Sequence, residues 1–157
     1  MTRKVAIYIR VSTLDQARNG YSLAAQRKTL EDYAALHNYE VVCVYADEGI
    51  SGKDISHRPA MREMLEAVKG GGIDIVLVWA LSRLTRSVSD LYKIWGLLQH
   101  HNSSLISYTE AFDATTPMGR ATMGLLGVFA QMEREITAER VKLAMAERAA
   151  KGKRTAH

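Results

Sequence analysis

The chain has 157 residues, of which 47% are hydrophobic and 24% charged, a composition that fits one globular domain with a core of its own. Because it lacks a membrane-length apolar stretch, a signal-like N-terminus and Cys or His residues at ligand spacing, we expect a cytoplasmic protein with no membrane partner and no metal site. The net charge is +4 although residues 1–133 are neutral, so the excess positive charge lies at the C-terminal end.

The first predicted strand, residues 4–11, ends on the most informative residues of the chain. Val5 to Val11 is an apolar, β-branched run, which is typical of a strand buried on both faces of a parallel sheet. Arg10 lies inside this run, and the Ser12 hydroxyl follows at the carboxyl end, where ligands bind in open α/β sheets. A guanidinium beside a hydroxyl predicts a serine aimed at an anion. Phosphate suits the planar, bidentate donors of arginine.

Strands and helices then alternate along the chain. Ser22 is placed to cap a helix that carries Gln26 and extends to Leu36. The further predicted elements are a strand over 41–45, a loop over 46–58, a helix over 59–69, a strand over 73–79, a loop over 80–87, a helix over 88–101 and a strand over 105–108. This order predicts an α/β fold with a mostly parallel sheet, strand order 2-1-3-4 and helices on both faces. Cys43, in the second strand, is expected to be an inert core thiol.

Two arginines, Arg83 and Arg86, follow the third strand directly and could share one face of a helical turn. In a sheet of order 2-1-3-4 they would lie beside Arg10 and Ser12, and Arg58 is a fourth candidate. Several fixed positive donors would stabilise the charge that develops when a phosphodiester is attacked. Taken singly, each arginine is better explained as a surface residue or an ion-pair partner. The set together favours a phosphate site.

The last predicted element is a helix over residues 117–150. It would be about 50 Å long, which exceeds the roughly 30 Å across a domain of this size, so it must project from the body. Its apolar stripe consists of Leu125, Phe129, Met132, Ile136 and Leu143. This stripe needs a partner, most simply the same helix of a second subunit, with Gly124 and Gly127 allowing close approach. The alternative, a helix folded back onto the sheet, suits only its first half.

The excess positive charge falls on the same helix. From Arg134 to His157 there are seven Lys or Arg residues and three Glu residues. Contact with a polyanion and a solvated helix surface both account for this charge.

Together these motifs resemble those of the serine recombinases, the resolvase/invertase superfamily. The matching segments are Tyr8-Ile9-Arg10-Val11-Ser12-Thr13, Ser22-Leu23-x-x-Gln26, Asp47-x-Gly49-x-Ser51-Gly52 before Arg58-Pro59, Ser82-Arg83-Leu84-x-Arg86, and Gly119 through Glu133-Arg134 to Glu139-Arg140. They cover essentially the whole chain in order. The long loop before Ser22 is similar to that of the large branch, which contains phage integrases and transposases of mobile elements.

The resemblance implies a three-layer fold and a covalent mechanism on double-stranded DNA. Ser12 would attack the scissile phosphate, forming a 5′-phosphoserine link and releasing a 3′ hydroxyl. Half-complexes would exchange within a tetramer of two homodimers, the synaptic complex, before the reverse attack. Because the covalent link stores the phosphodiester energy, we expect no cofactor, whether metal or nucleotide, and no small-molecule substrate.

The resemblance also assigns residues. The catalytic set is Ser12, Arg10, Arg58, Arg83 and Arg86, supported by Gln26 and Ser51. The basic segment around Arg140, with Lys142 and Arg148, would contact the DNA minor groove. The dimer interface would be formed by Leu125, Phe129, Met132 and Ile136.

Two features depart from the family pattern. Ser82 stands where many small members carry an Asp that is a proposed acid/base, so the group that protonates the leaving 3′ oxygen stays open. Family members also continue into further DNA-binding domains. We therefore expect an isolated catalytic domain, with a body over 1–116 and the long helix over 117–157.

Two other interpretations are a catalytically silent DNA-binding accessory protein and a phosphatase-like hydrolase of small phosphoesters. The intact serine and arginines argue against the first. The lack of a Cys-x5-Arg motif, of metal-binding carboxylates and of a histidine nucleophile argues against the second.

Overall fold

The computed structural model describes residues 2–11, 23–48 and 58–155, with the side chains of Val11 and of residues 153–155 left out. The elements in chain order are β1 (Lys4–Val11), α1 (Leu23–Leu36), β2 (Glu40–Glu48), α2 (Pro59–Lys69), β3 (Ile75–Val78), α3 (Leu81–Leu84), α4 (Val88–His100), β4 (Ser104–Ser107), β5 (Phe112–Asp113) and α5 (Pro117–Thr155). In these described residues no helix is both long and apolar enough to cross a membrane.

The described strands form one sheet of order β2-β1-β3-β4-β5. β2, β1, β3 and β4 are parallel, and β5 pairs antiparallel with β4. The predicted α/β class and the order 2-1-3-4 are therefore confirmed, and β5 is an addition. A tight turn makes this addition possible, since Ala111 adopts a φ of 52° and its N–H donates to the Tyr108 carbonyl at 3.2 Å.

The core lies on both faces of the sheet, as a central parallel strand requires. Ala6 and Tyr8 of β1 belong to the apolar cluster under α2 and α4, which includes Met61, Met64, Leu91, Ile94 and Leu98. Val5, Ile7 and Ile9 point to the other face, where Leu30 and Ala34 of α1 cover them. The alternation along β1 thus produces the three layers implied by the family resemblance.

Several predicted boundaries differ from those observed. The third strand is shorter than the predicted 73–79, the second extends on both sides of 41–45, and α5 runs on to Thr155. Residues 81–84, predicted as loop, form the one-turn helix α3.

The prediction of a core thiol at Cys43 is wrong, because Cys43 is exposed. β2 is an edge strand, and Val42 beside Cys43 is exposed as well. An apolar sequence predicts a strand but does not show whether that strand lies at the edge of the sheet, with side chains that no other element packs against.

The first half of α5 folds back onto the body. Met123 and Ala130 are fully buried. A Cβ at Gly127 would lie 2.6 Å from the ring of Tyr92 on α4, so the missing side chain accommodates that tyrosine. Gly127 therefore serves a contact within the chain, whereas a Cβ built at Gly124 would meet nothing within 4 Å beyond the adjoining part of its own helix.

Gly119→Ala should destabilise the protein. A Cβ at this position would lie 1.8 Å from the Asp113 carbonyl oxygen, a backbone atom that can move away only with its strand. Overpacking of this kind lowers the free energy of unfolding by about 1–3 kcal/mol, which urea denaturation would detect. Gly124→Ala on the same helix is the matched control, and it should raise stability by up to about 1 kcal/mol. Equal denaturation midpoints for Gly119→Ala and the unmodified chain would contradict this close packing of Gly119 against Asp113.

Candidate active site

Three of the four predicted arginines meet at the carboxyl edge of the sheet. Arg10 is the last residue but one of β1, Arg58 immediately precedes α2, and Arg83 lies on α3, which follows β3. β1 and β3 are neighbouring parallel strands, so the segments after them share one edge. The three side chains are only 3%, 0% and 9% exposed, respectively. Strand order predicted that Arg10 and Arg83 lie together, and Arg10 binds the Arg83 carbonyl, as does Arg58.

The guanidinium groups of Arg10 and Arg58 bind the backbone carbonyls of α3. Arg10 donates from Nη2 to the Ser82 oxygen at 2.9 Å and from Nε to the Arg83 oxygen at 3.1 Å. Arg58 donates from Nη1 to the same Arg83 oxygen at 2.8 Å and from Nη2 to the Leu84 oxygen. The last carbonyls of a helix have no partner within the helix, so these buried donors satisfy them. The two arginines therefore fix the segment that carries Arg83.

Two buried polar side chains, Tyr8 and Asp47, connect Arg58 with the sheet and with α2. Tyr8 donates from its hydroxyl to Asp47 Oδ2 at 2.8 Å, and Arg58 Nη1 lies 3.4 Å from the Tyr8 hydroxyl oxygen. Asp47 also accepts the backbone N–H groups of Ala60 and Met61 at 3.0 and 3.1 Å, and so caps the start of α2. Asp47 thereby ties the first turn of α2, directly after Arg58, to Tyr8 of the sheet.

Burial raises the pKa of Tyr8 well above its ordinary value, and the hydrogen bond to Asp47 raises this pKa further. The tyrosine therefore stays neutral near pH 7 and remains a donor.

Tyr8 and Asp47 were not predicted as site residues, although both lie inside the matching motifs. The usable signal is their register, since Tyr8 pairs with Tyr45 and Arg10 with Asp47 across β1 and β2. A carboxylate opposite a strand arginine, at the carboxyl end of the strand that precedes the helix beginning with Pro59, is a candidate cap.

Gln26 is fully buried on α1. Neither its amide nitrogen nor its amide oxygen has a hydrogen-bond partner within the described part of the chain, and the same holds for Arg58 Nε. Buried amides that lack partners cost about 1–3 kcal/mol, so this position needs a polar neighbour. The predicted site residues Ser12 and Ser51, and the predicted cap Ser22, lie outside the described residues.

Arg86 and Ser82 differ from the buried arginines in being exposed. α3 ends at Leu84, and Thr85 is extended with φ −162° and ψ 162°. Arg83 and Arg86 therefore do not share a helical face, because the turn that would align them stops between the two residues.

The predicted interface and DNA-contact residues lie on α5. Leu125, Phe129, Met132 and Ile136 are 44–58% exposed, and the stripe also includes exposed Val128, which the sequence analysis missed. Arg140, Lys142 and Arg148 are exposed on the distal half of the helix.

Comparison with known proteins gives consistent matches. The family model "Resolvase, N terminal domain" matches residues 5–154. The DNA-invertase hin of Salmonella typhimurium is 34% identical over 146 residues, which cover 93% of this chain and 69% of the invertase. The serine recombinase gin of Escherichia phage Mu is 31% identical over 150 residues, covering 93% and 68% of the two chains.

Two solved structures are similar in both fold and sequence. The N-terminal catalytic domain of TP901-1 integrase has a TM-score of 0.77 and 34% identity, over 85% of this chain and 98% of that one. A resolvase family site-specific recombinase from Streptococcus pneumoniae has a TM-score of 0.81 and 32% identity, over 95% and 99%.

Proposed function

Because this chain belongs to the resolvase family of serine recombinases, we propose that it cleaves and rejoins double-stranded DNA through a covalent link to Ser12. The observation that carries this proposal is the group of buried guanidiniums, Arg10, Arg58 and Arg83, at the end of the strand that Ser12 follows. A concentration of fixed positive charge at that edge suits a phosphodiester.

The chemical step is an in-line substitution at phosphorus. The bond from Ser12 Oγ to phosphorus forms while the bond from phosphorus to the 3′ oxygen breaks. The serine loses its proton and the 3′ oxygen gains one. A 5′-phosphoserine intermediate results, and attack by a 3′ hydroxyl on that link reverses the step after strand exchange. The phosphodiester energy is kept in the covalent bond, so neither metal nor nucleotide is required.

The arginines fall into two groups by their contacts. Arg10 and Arg58 donate hydrogen bonds to the carbonyl oxygens of α3 and so fix its backbone. Their positive charge makes the electrostatic potential at this edge of the sheet more favourable for a phosphate. Arg86 is exposed just beyond α3 and is accessible to a backbone phosphate. We assign Arg83 to the phosphate as well, because α3 delivers it to the same edge.

Gln26 and Ser51 are assigned supporting roles. The fully buried Gln26 amide is at the start of α1, immediately after the segment that begins with Ser12. A buried amide of this kind is suited to hold that segment by hydrogen bonds. For Ser51 the support comes from the family motif alone.

Partners are proposed from the surface of α5. Its exposed apolar stripe fits the same stripe of a second subunit, giving a homodimer that pairs as a tetramer during strand exchange. The exposed Arg140, Lys142 and Arg148 fit the phosphates flanking a DNA minor groove.

The proposed chemistry should survive chelation. Incubation with random-sequence DNA duplexes in excess EDTA, followed by denaturation, should yield a protein–DNA adduct in which a nucleotide is linked to Ser12, identified by mass spectrometry of the digested complex. Arginines take the role of a metal in stabilising the transition state. Activity that is lost with EDTA and restored by magnesium would refute the mechanism. DNA binding without any adduct would favour a silent accessory protein.

DNA binding by this chain should be weak, largely independent of sequence and steeply salt-dependent. Each phosphate contact contributes about 0.9 to the slope of log affinity against log salt concentration. Arg140→Ala with Lys142→Ala should therefore reduce that slope, as measured by fluorescence anisotropy over a salt series. The matched control is Arg62→Ala with Lys93→Ala, which removes two exposed charges from the body helices. Equal slopes for the two double variants would exclude the α5 contact.

A further inference from the structure

We propose that Glu110 is a positioning residue for the active-site arginines, because its carboxylate holds the first backbone N–H of the one-turn helix whose last carbonyls Arg10 and Arg58 hold. The inference rests on the proposed function for its catalytic consequence, and on the geometry alone for the positioning itself.

Glu110 lies in the turn between β4 and β5 and binds the start of α3. The Leu81 N–H donates to Oε2 at 3.1 Å and is 3.4 Å from Oε1. The hydroxyls of Ser107 and Thr109 donate to Oε1 at 2.5 and 2.8 Å. The carboxylate is thus fixed on one side by its own turn and joined on the other to α3.

This contact replaces a missing cap. The residue before α3 is Ala80, which has no side-chain acceptor for the first N–H groups of the helix. A carboxylate at a helix N-terminus also complements the partial positive charge there. Glu110, which is distant in the sequence, therefore supplies the acceptor oxygen that a Ser or Asp N-cap residue supplies in other helices.

α3 depends on such contacts because it is one turn long. A single turn is unstable in isolation, since nucleation costs more than its hydrogen bonds return. Its C-terminal carbonyls are held by Arg10 and Arg58, and its N-terminal amide is held by Glu110. Without Glu110 the Leu81 amide loses its acceptor, and α3 is held by the packing of Leu81 and Leu84 and by the two arginines at its carboxyl end. The carbonyls that orient both guanidiniums, and Arg83 itself, can then shift together.

The charge state fits this role. Burial on its own raises the pKa of Glu110, but hydrogen bonds from Ser107, Thr109 and the Leu81 amide outweigh it and lower that pKa below its ordinary value. Glu110 is therefore ionised near neutral pH and accepts all of these bonds.

The test compares Glu110→Ala and Glu110→Gln with Glu66→Ala, which removes an exposed carboxylate from α2. The first measurement is the NMR chemical shift of the Leu81 amide and of the Nε–Hε groups of Arg10, Arg58 and Arg83 in the whole chain. Glu110→Ala should move these resonances, and Glu66→Ala should not. Glu110→Gln keeps one oxygen for the Leu81 amide and should restore most of the original shifts. If Glu110→Ala does not fold, Glu110→Asp takes its place, because its shorter side chain withdraws the carboxylate from the Leu81 amide.

The second measurement is the rate of adduct formation at saturating DNA. Misplaced arginines should lower this rate between about 10-fold and 100-fold in Glu110→Ala while leaving DNA affinity unchanged. Arginine resonances that stay in place in Glu110→Ala, or in Glu110→Asp where that variant replaces it, would overturn the inference, and so would a reduced rate without moved resonances. If the unmodified chain forms no adduct while Glu110→Ala still moves the resonances, the positioning role stands and the proposed function fails.

Discussion

Replacing Ser12 by alanine should abolish the protein–DNA adduct while leaving DNA affinity nearly intact. Ser12 is the hydroxyl that follows Arg10 at the end of β1, and loss of a nucleophile typically lowers an enzymatic rate by at least about 1,000-fold. DNA contact is assigned to α5 and to the arginines, none of which the substitution alters. The measurement is quantitative recovery of adduct from denatured reactions, paired with an equilibrium binding titration.

Ser82→Ala is the matched control, because Ser82 is an exposed hydroxyl on α3 at the same edge of the sheet. It should still form the adduct. An adduct in Ser12→Ala, or the absence of one in Ser82→Ala, would show that the nucleophile is Ser82 and not Ser12. A Ser82→Ala variant that forms the adduct at a reduced rate would instead indicate that this hydroxyl assists proton transfer to the 3′ oxygen.

The grouping of the arginines could be predicted, but their contacts could not. Parallel strand order alone brings the residue at the end of β1 next to the segment after β3. The partners of Arg10 and Arg58 are backbone carbonyls of a one-turn helix that the sequence does not signal. Every residue has a carbonyl, so sequence cannot show which ones a buried guanidinium will bind. The arginines were predicted as phosphate ligands, and two of them also maintain the local backbone.

A similar limit explains Cys43 and Glu110. The apolar sequence of β2 predicts a strand but not that the strand lies at the edge of the sheet, where Cys43 becomes exposed. Glu110 reaches Leu81 across 29 residues, through a turn whose position depends on the short antiparallel strand β5. Periodicity identifies elements and faces. It does not identify contacts that depend on how two loops meet in the folded protein, such as the one between Glu110 and Leu81.

The buried polar groups around Arg58 couple the stability of the protein to its catalytic activity. Asp47 holds the start of α2 and the hydroxyl of Tyr8, while Arg58 bridges Tyr8 and α3. Removal of either charge would leave the other polar groups buried without partners, which costs several kcal/mol. Loss of activity in variants of these residues would therefore reflect unfolding as well as chemistry, so the exposed Arg86 is the better position for testing phosphate contact.

Phe129→Asp should shift the protein towards the monomer and remove coordinated cleavage of paired DNA sites. Phe129 is 48% exposed at the centre of the stripe formed by Leu125, Phe129, Met132 and Ile136. Burying a phenylalanine or methionine contributes about 1.5–3 kcal/mol, so a few such side chains can hold a dimer, and a carboxylate among them opposes it. The body should stay folded, because the buried contacts of α5 come from Met123 and Ala130 on another side of the helix.

Light scattering over a concentration series, with and without DNA, measures the shift, and thermal unfolding checks the fold. Ala138→Asp is the matched control: nine residues further along α5, about two and a half turns, it lies opposite Phe129 and is exposed. It introduces the same charge outside the stripe and should leave the oligomeric state unchanged. An unmodified chain that stays monomeric at high concentration, both alone and with DNA, would refute the interface. Equal dissociation in the two variants would show that added charge on α5, rather than loss of the apolar stripe, weakens the dimer.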